Sequence, residues 1–432
     1  MKKFNRYINS NVLFDVANLN SITLSIRIIA GVLTSKFIAI FIGAEGLALI
    51  GNLSNFLKAI QSFSAVGFYK GMVKLTSEFR EQKEKLSEVL STAFYIGFFS
   101  TMFSALMCYY FAEDINYFLF NNSDYTYVIE YMAFVIPLYS LNAYCFAIMN
   151  GYSKYKFLLI INLIGQIGGL LITLLLIWQE RIDGALIALA ITPGLIFLIT
   201  LVGILFRTNL VGFVKIANVC PKMLSRLSPY SIMALTSAIA LPIVMILIRN
   251  YIIDDIGLKE AGYWEAMNRI SDYYLMFINS FIALYLVPKL SAIDTQKAFR
   301  KEIIGFYKSL IPYFAGLLIL TYVLRKFVVR LIFSDEFLPT EDLFLWQLLG
   351  DFIRVLAMVI AYQFLAKKMF SHFIILEIFL FVTLYFSSIY LLDVFGLEGV
   401  VMGYFLTHLL YFGIVILIFS SSLFGIIPED SI

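Results

Sequence analysis

Twelve long apolar runs, each closed by a short polar break, occupy most of the 432-residue chain and leave it few folds to choose from. A helix needs about 20 apolar residues to cross a hydrocarbon core roughly 30 Å thick, and inside that core every backbone polar group must find its partner within the protein. The runs fall at 17–42, 46–73, 86–111, 127–149, 157–178 and 184–206. A polar stretch with Arg207, Lys215, Pro221, Lys222 and Arg226 follows, and then come 227–252, 262–290, 303–332, 343–365, 373–392 and 397–419. The pattern predicts an all-α membrane protein of about twelve transmembrane helices in two pseudo-symmetric six-helix lobes. The N-terminal lobe is expected at 1–207, a cytoplasmic linker at 208–226 and the C-terminal lobe at 227–432. A duplicated transporter has this layout, with its substrate site near the membrane midplane. Short loops use up the remaining length, so no sizeable soluble domain fits.

Composition agrees, because 61% hydrophobic residues, 14% charged residues and a mean hydropathy of +0.88 exclude a chain dispersed in water. A net charge of +3, spread among loops, argues against nucleic-acid binding. Cys108, Cys145 and Cys220 are widely spaced, and His372 and His408 are the only imidazoles, so neither a metal site nor a disulfide framework is expected. Residues 1–20 mix Lys2, Lys3 and Arg6 with Asn and Ser, and no cleaved signal peptide is expected.

Charge sidedness orients the chain. With a cytoplasmic amino terminus, the cytoplasmic segments hold nineteen basic residues: Lys2, Lys3, Arg6, Lys74, Arg80, Lys83, Lys85, Lys154, Lys156, Arg207, Lys215, Lys222, Arg226, Lys289, Lys297, Arg300, Lys301, Lys367 and Lys368. The opposite loops hold Arg181 and Lys259 amid acids such as Glu113, Asp114, Asp335 and Glu341. The positive-inside rule therefore puts both termini in the cytoplasm. Arg325, Lys326 and Arg330, toward the outer end of the ninth run, go against the rule and read as snorkelling side chains.

The ions inside the runs carry the functional signal, since a charge at mid-bilayer costs ~3 kcal/mol or more and normally faces protein or a watery cavity. Arg27 lies near mid-depth in the first run with no acid within a turn, and Lys36 is half a revolution away from it. Lys58 sits among Asn52, Ser54, Asn55, Gln61, Ser62 and Ser64. The eighth run places Glu265, Arg269 and Asp272 on one face with Asn268 and Asn279, and the tenth places Gln347, Asp351 and Arg354 together. Glu377 and His408 are isolated groups able to bind a proton. Arg27, Lys36, Lys58, Arg249, Arg269 and Arg354 outnumber Glu265, Asp272, Asp351 and Glu377, so a cavity lined by them favours an anion. A pyrophosphate suits guanidinium and ammonium donors where water is scarce. The plainer alternatives are intrahelical Glu265–Arg269 and Asp351–Arg354 pairs, a neutral His408 bonded between helices, and snorkelling by Lys36 and Arg249. Gly165 and Gly169 read as a close-packing pair, and Pro137, Pro193, Pro242, Pro288 and Pro312 as kinks.

Six segments stand out: SKFIAIFIGAEGLALIGNLSNF (35–56), SAVGFYKGMVKLTSEF (64–79), SPYSIMALTSAIALPIVMILIRNYI (228–252), NRISDYYLMFINSFIALYLVPKLS (268–291), DLFLWQLLGDFIRV (342–355) and AKKMFSHFIILEI (366–378). They resemble the O-antigen and enterobacterial common antigen flippases, with the nearest pieces in the lipid III flippase subgroup. The resemblance implies a member of the multidrug/oligosaccharidyl-lipid/polysaccharide exporter superfamily, with two lobes around a cationic cavity and alternating access. It implies functional roles for Asp272, Asp351 and Arg354, with Arg269 beside them. The function expected is not enzymatic: transfer of an undecaprenyl-pyrophosphate-linked oligosaccharide across the bacterial cytoplasmic membrane for surface polysaccharide assembly. No cofactor is expected, and coupling to H⁺ or Na⁺ is open. Polymerase and chain-length proteins of the same pathway are the expected protein partners. An ion-coupled drug or cation antiporter of the same superfamily is one alternative, though it would need acids rather than excess cations. A membrane polysaccharide polymerase is the other, though the longest outer loop spans only 112–126.

Overall fold

The computed structural model describes residues 2–121, 124–205, 215–293, 295–367 and 369–424, and every regular element among them is helical. Arg207 and Lys368, two of the cations used for orientation, lie outside the described residues, as do the side chains of Lys2, Lys3 and Arg6. The helices are α1 (Lys2–Phe41), α2 (Gly43–Ser64), α3 (Tyr69–Phe79), α4 (Lys83–Tyr110), α5 (Ala112–Phe120), α6 (Thr126–Gly151), α7 (Tyr155–Leu205) and α8 (Pro221–Asp255). They continue with α9 (Leu258–Phe281), α10 (Val287–Ala292), α11 (Gln296–Val323), α12 (Arg325–Ile332), α13 (Phe344–Ala366), α14 (Phe370–Phe395), α15 (Leu397–Ile418) and α16 (Ser420–Phe424).

Ten spans among the described residues are long and apolar enough to cross a membrane. One of them, Tyr155–Gly203, has 49 residues, which at 1.5 Å per residue is ~73 Å, far more than one crossing needs. It breaks at Arg181 (φ 54°, ψ −120°), which divides α7 into two crossings. Helix α2 has 22 residues, about 33 Å and enough to cross, but its Asn and Ser content makes it more polar than the ten. Large apolar side chains such as Phe99, Tyr110, Tyr313 and Leu417 stand 69–80% exposed, a surface that lipid satisfies and water does not.

The chain divides into two compact units, one of Met1–Ile42 with Asn52–Ile243, the other of Gly43–Gly51 with Val244–Ile432. The division falls inside α2 and α8 rather than in the polar stretch at 208–226, whose described part holds a 3-10 turn, Ile216–Asn218, and the start of α8.

In the first unit the second apolar run, expected to be one helix over 46–73, is broken. Val66 (φ 55°) and Gly67 (φ 60°) are both left-handed. The Gly67 amide reaches back to Ser62 O (3.1 Å) and that of Val66 to Phe63 O (2.9 Å), which closes α2 as a Schellman-type end. Hydroxyls of α4 add bonds to the carbonyls at the break: Ser100 donates to Phe63 O (2.9 Å) and Thr101 to Ser64 O (3.1 Å). Beyond the break, α3 turns one apolar face inward. Met72, Leu75 and Phe79 pack with Leu86, Val89 and Leu90 of α4, Ala147 and Ile148 of α6, and Met223 and Leu227 of α8. Gly165 and Gly169 face Ile196 and Thr192 across α7, where added Cβ atoms would stand 3.1 and 2.8 Å away.

In the second unit α15 lies against both α13 and α14. Glycines make that approach possible: a Cβ on Gly403 would come within 2.6 Å of the Ser388 backbone, and one on Gly399 would strike Leu391 O. The eighth run, expected over 262–290, ends earlier as regular helix. A π-turn, Ile282–Leu286, intervenes, and Pro288 lies in the first turn of α10, where its missing N–H costs little. The ninth run likewise divides at Leu324 into α11 and α12. Arg325, Lys326 and Arg330 therefore do not extend alone toward an interface. Arg325 and Lys326 approach Glu341 (3.9 and 3.6 Å), and Arg330 pairs with Asp335 (2.7 Å).

Candidate functional site

Each unit holds an arginine in a different way. In the first, α1 carries Arg27 toward α7. With the Gln166 amide turned so that its oxygen faces the guanidinium, that oxygen accepts from Nη2 (3.2 Å) and Nε (3.3 Å). A neutral amide leaves the full positive charge in place. Lys36 is partly buried in the same helix, and Lys58, on α2, is exposed.

The second unit contains a buried ionic group. Arg249 of α8 is fully buried, and its Nη2 donates to Glu265 Oε2 at 2.5 Å while its guanidinium lies 5.2 Å from the Trp264 ring centroid. Such burial rules out the snorkelling position. Arg269 pairs with the other Glu265 oxygen at 3.0 Å, one helical turn along α9, as its spacing predicts. Gly51 makes room for this group, because a Cβ there would lie 2.8 Å from Glu265 Cδ and 2.9 Å from Arg249 Cζ. Two guanidiniums share one carboxylate, with Arg249 fully buried and Arg269 half-buried.

A second cluster forms where α9, α13 and α15 meet. Asp351 is wholly buried, yet it does not pair directly with Arg354. Its Oδ1 accepts from the Tyr404 hydroxyl (2.7 Å), and its Oδ2 accepts from Ser271 (2.7 Å) and from Tyr274. Arg354 Nη1 donates to the same Tyr404 hydroxyl at 3.1 Å. Gln347 donates to Ser271 (3.2 Å). His408 is buried on α15 and bonds within its own helix, not between helices. Its Nδ1 lies 2.9 Å from Tyr404 O, and since a carbonyl only accepts, Nδ1 carries the proton. Its ring packs against that of Tyr404, 4.2 Å between centroids and tilted by 47°. Asp272 is exposed on α9 and within electrostatic reach of Arg354, and Glu377 is half-buried on α14 near Tyr411.

The second unit thus brings together Glu265 with Arg249 and Arg269, and Asp351 with Arg354 through a tyrosine. Sequence reasoning missed Tyr404, Tyr274, Ser271, Trp264 and Gln166. Tyr404 stands one turn before His408, the only buried histidine among the described residues, and that spacing was the available signal.

Residues 37–342 match the polysaccharide biosynthesis protein family, most of the length of the chain. The chain belongs to this family. Within the family it is lipid III flippase-like: it is 27% identical to the lipid III flippase of Escherichia coli (strain K12) over 395 residues, which is 90% of this chain and 94% of that one. The same figures hold for the lipid III flippase of Shigella flexneri. Solved structures show that the family shares its fold with a wider group of exporters. The inward-facing conformation of a multidrug resistance MATE transporter of the MOP superfamily superposes with a TM-score of 0.78 at 14% identity, covering 93% of this chain and 98% of that one. The lipid II flippase MurJ, inward closed, gives 0.72 at 16% identity, covering 94% and 87%. This family member is a multi-pass membrane protein with the exporter fold.

Proposed function

We propose that the chain is a flippase, not an enzyme, that carries an undecaprenyl-pyrophosphate-linked oligosaccharide from the inner to the outer leaflet of the bacterial cytoplasmic membrane for surface polysaccharide assembly. The observation that carries this reading is the choice of partners for two membrane-embedded arginines. Arg27 is held by an amide and Arg354 by a hydroxyl, so neither guanidinium is closed into a direct ion pair, while Asp351 and Asp272 act on Arg354 from further off. A pyrophosphate offers several oxygens to such donors, and charge-assisted bonds strengthen where water is scarce. Lys36 and Lys58 add to the positive charge of the first unit and Arg269 to that of the second, whereas Arg249 supports Glu265 and Arg269. The likeness to the lipid III flippases supports a lipid-linked substrate.

The positive-inside bias supports cytoplasmic termini, and the headgroup would then enter where basic residues are densest. The site then opens in turn to each side while the polyprenyl tail stays in lipid. Asp272, Asp351, Glu377 and His408 are the groups through which H⁺ or Na⁺ would drive the cycle. Polymerase and chain-length proteins of the pathway would receive the product.

The test is reconstitution into liposomes with a fluorescent undecaprenyl-pyrophosphate oligosaccharide, scored by the rate at which the sugar becomes accessible from the opposite side. Exposure should depend on protein and fall more than about 10-fold in Arg27→Ala and Arg354→Ala, each of which loses a charged hydrogen-bond donor. Unchanged rates in both variants would overturn the anion-site reading. A rate indifferent to imposed proton and sodium gradients would remove obligatory coupling.

A further inference from the structure

We infer that Tyr404 is a positioning residue that holds the Arg354 guanidinium apart from Asp351 and keeps its N–H donors from closing onto that carboxylate, so that they can meet an anionic group. The inference rests on the anion-binding reading above. Asp351 and Arg354 stand three residues apart on α13, a spacing at which such side chains meet on one helix face and pair. Here the Tyr404 hydroxyl stands between them, donating to Asp351 Oδ1 at 2.7 Å and accepting from Arg354 Nη1 at 3.1 Å. With Ser271 and Tyr274 on the other oxygen, three hydroxyls satisfy the buried carboxylate, which then does not need the arginine.

The tyrosine is clamped in place. A Cβ at Gly350 would lie 2.5 Å from Tyr404 Cδ1 and 2.7 Å from Cε1, so only glycine leaves the notch into which the ring fits. The His408 ring also packs against it, 4.2 Å between centroids and tilted by 47°. A hydroxyl fixed this way pre-orients Arg354 before any ligand arrives. Without that hydroxyl, Asp351 Oδ1 regains a free acceptor site and the guanidinium closes onto it. The resulting ion pair removes the cation on which the site depends.

The experiment uses full-length protein in lipid nanodiscs, with Tyr404→Phe, Asp351→Asn and the double variant. Two quantities are followed: affinity for undecaprenyl pyrophosphate, and the rate at which phenylglyoxal modifies Arg354, read by peptide mass spectrometry. Tyr404→Phe should weaken lipid binding roughly 10-fold, the worth of one charged hydrogen bond, and should slow the modification. Adding Asp351→Asn should restore both toward the level of Asp351→Asn alone, because no carboxylate remains for the arginine to join. Restoration would not follow if the tyrosine merely filled space. An undiminished modification rate in Tyr404→Phe, or a double variant as slow as Tyr404→Phe, overturns the inference. If no form binds the lipid but the modification pattern holds, the anion-binding reading fails and the separating role stands.

Discussion

The two units bury polar groups by opposite means. The first uses neutral ones: Asn52 donates to Leu119 O at 2.8 Å, Thr200 to Asn142 at 2.7 Å, and Ser140 to Ser64 at 2.9 Å. The second buries ions, with Arg249 and Asp351 at 0% exposure and Glu265 at 8%. A satisfied amide or hydroxyl fastens helices together at little cost and little risk. A buried ion is stable only while its partner is present, because its desolvation penalty is several kcal/mol. The first unit therefore tolerates loss of a partner, and the second does not. The second is also where a change of charge has most leverage over conformation.

The sharpest way to break this contrast is Glu265→Gln, which removes the carboxylate that Arg249 and Arg269 share. It should cost about 3–5 kcal/mol, read by unfolding in a denaturing detergent titration. The double variant Arg249→Met, Glu265→Gln removes the fully buried cation as well and should recover most of that loss. A cost for Glu265→Gln no greater than that of a single lost hydrogen bond would erase the distinction between the units.

Packing in the second unit should show a smaller effect. Gly262 lies directly against the Ala44 backbone, where an added methyl would meet the carbonyl itself, which cannot give way as a side chain can. Gly262→Ala should cost about 1–3 kcal/mol as overpacking. In the first unit, Asn52→Ala leaves Leu119 O without its side-chain donor and should cost about 1 kcal/mol in the same titration.

What the sequence could reveal follows from the physics of its signals. The crossings were legible because apolar length has almost no other explanation in a chain this hydrophobic. The polar stripes of α9 and α13 were legible because charges at helical spacing inside such runs are costly and therefore informative. The Arg249–Glu265 pair was not, since its partners lie sixteen residues apart on two helices and only the α8–α9 turn brings them together. Tyr404 was hidden for another reason: among 27 tyrosines in a membrane chain, one more carries no signal until its hydroxyl is seen between two charges. The ion pairs of α12 were not legible, because three cations at the end of an apolar run look the same whether they reach only for water or also for Glu341 and Asp335. The break at Val66 left no trace either, as valine does not favour left-handed backbone, whereas the one at Arg181 falls in the polar gap between the runs 157–178 and 184–206.

That break at Val66 supplies the smallest and most specific test. A β-branched residue held at φ 55° is strained by ~1–2 kcal/mol, whereas glycine pays only its unfolded-state entropy of about 0.5–1 kcal/mol there. Val66→Gly should therefore raise stability by roughly 0.5 kcal/mol, visible as a small upward shift in detergent-titration midpoint. The neighbouring change must go the other way. Gly67→Ala adds a methyl at φ 60° that meets Ser231 O at 3.0 Å, and it should lower the midpoint by more than Val66→Gly raises it. If the first unit is fastened by satisfied neutral groups, both shifts will be small beside that of Glu265→Gln. A large loss from Val66→Gly would instead mean that the valine side chain, not the hydrogen bonds from Ser100 and Thr101, fixes the break.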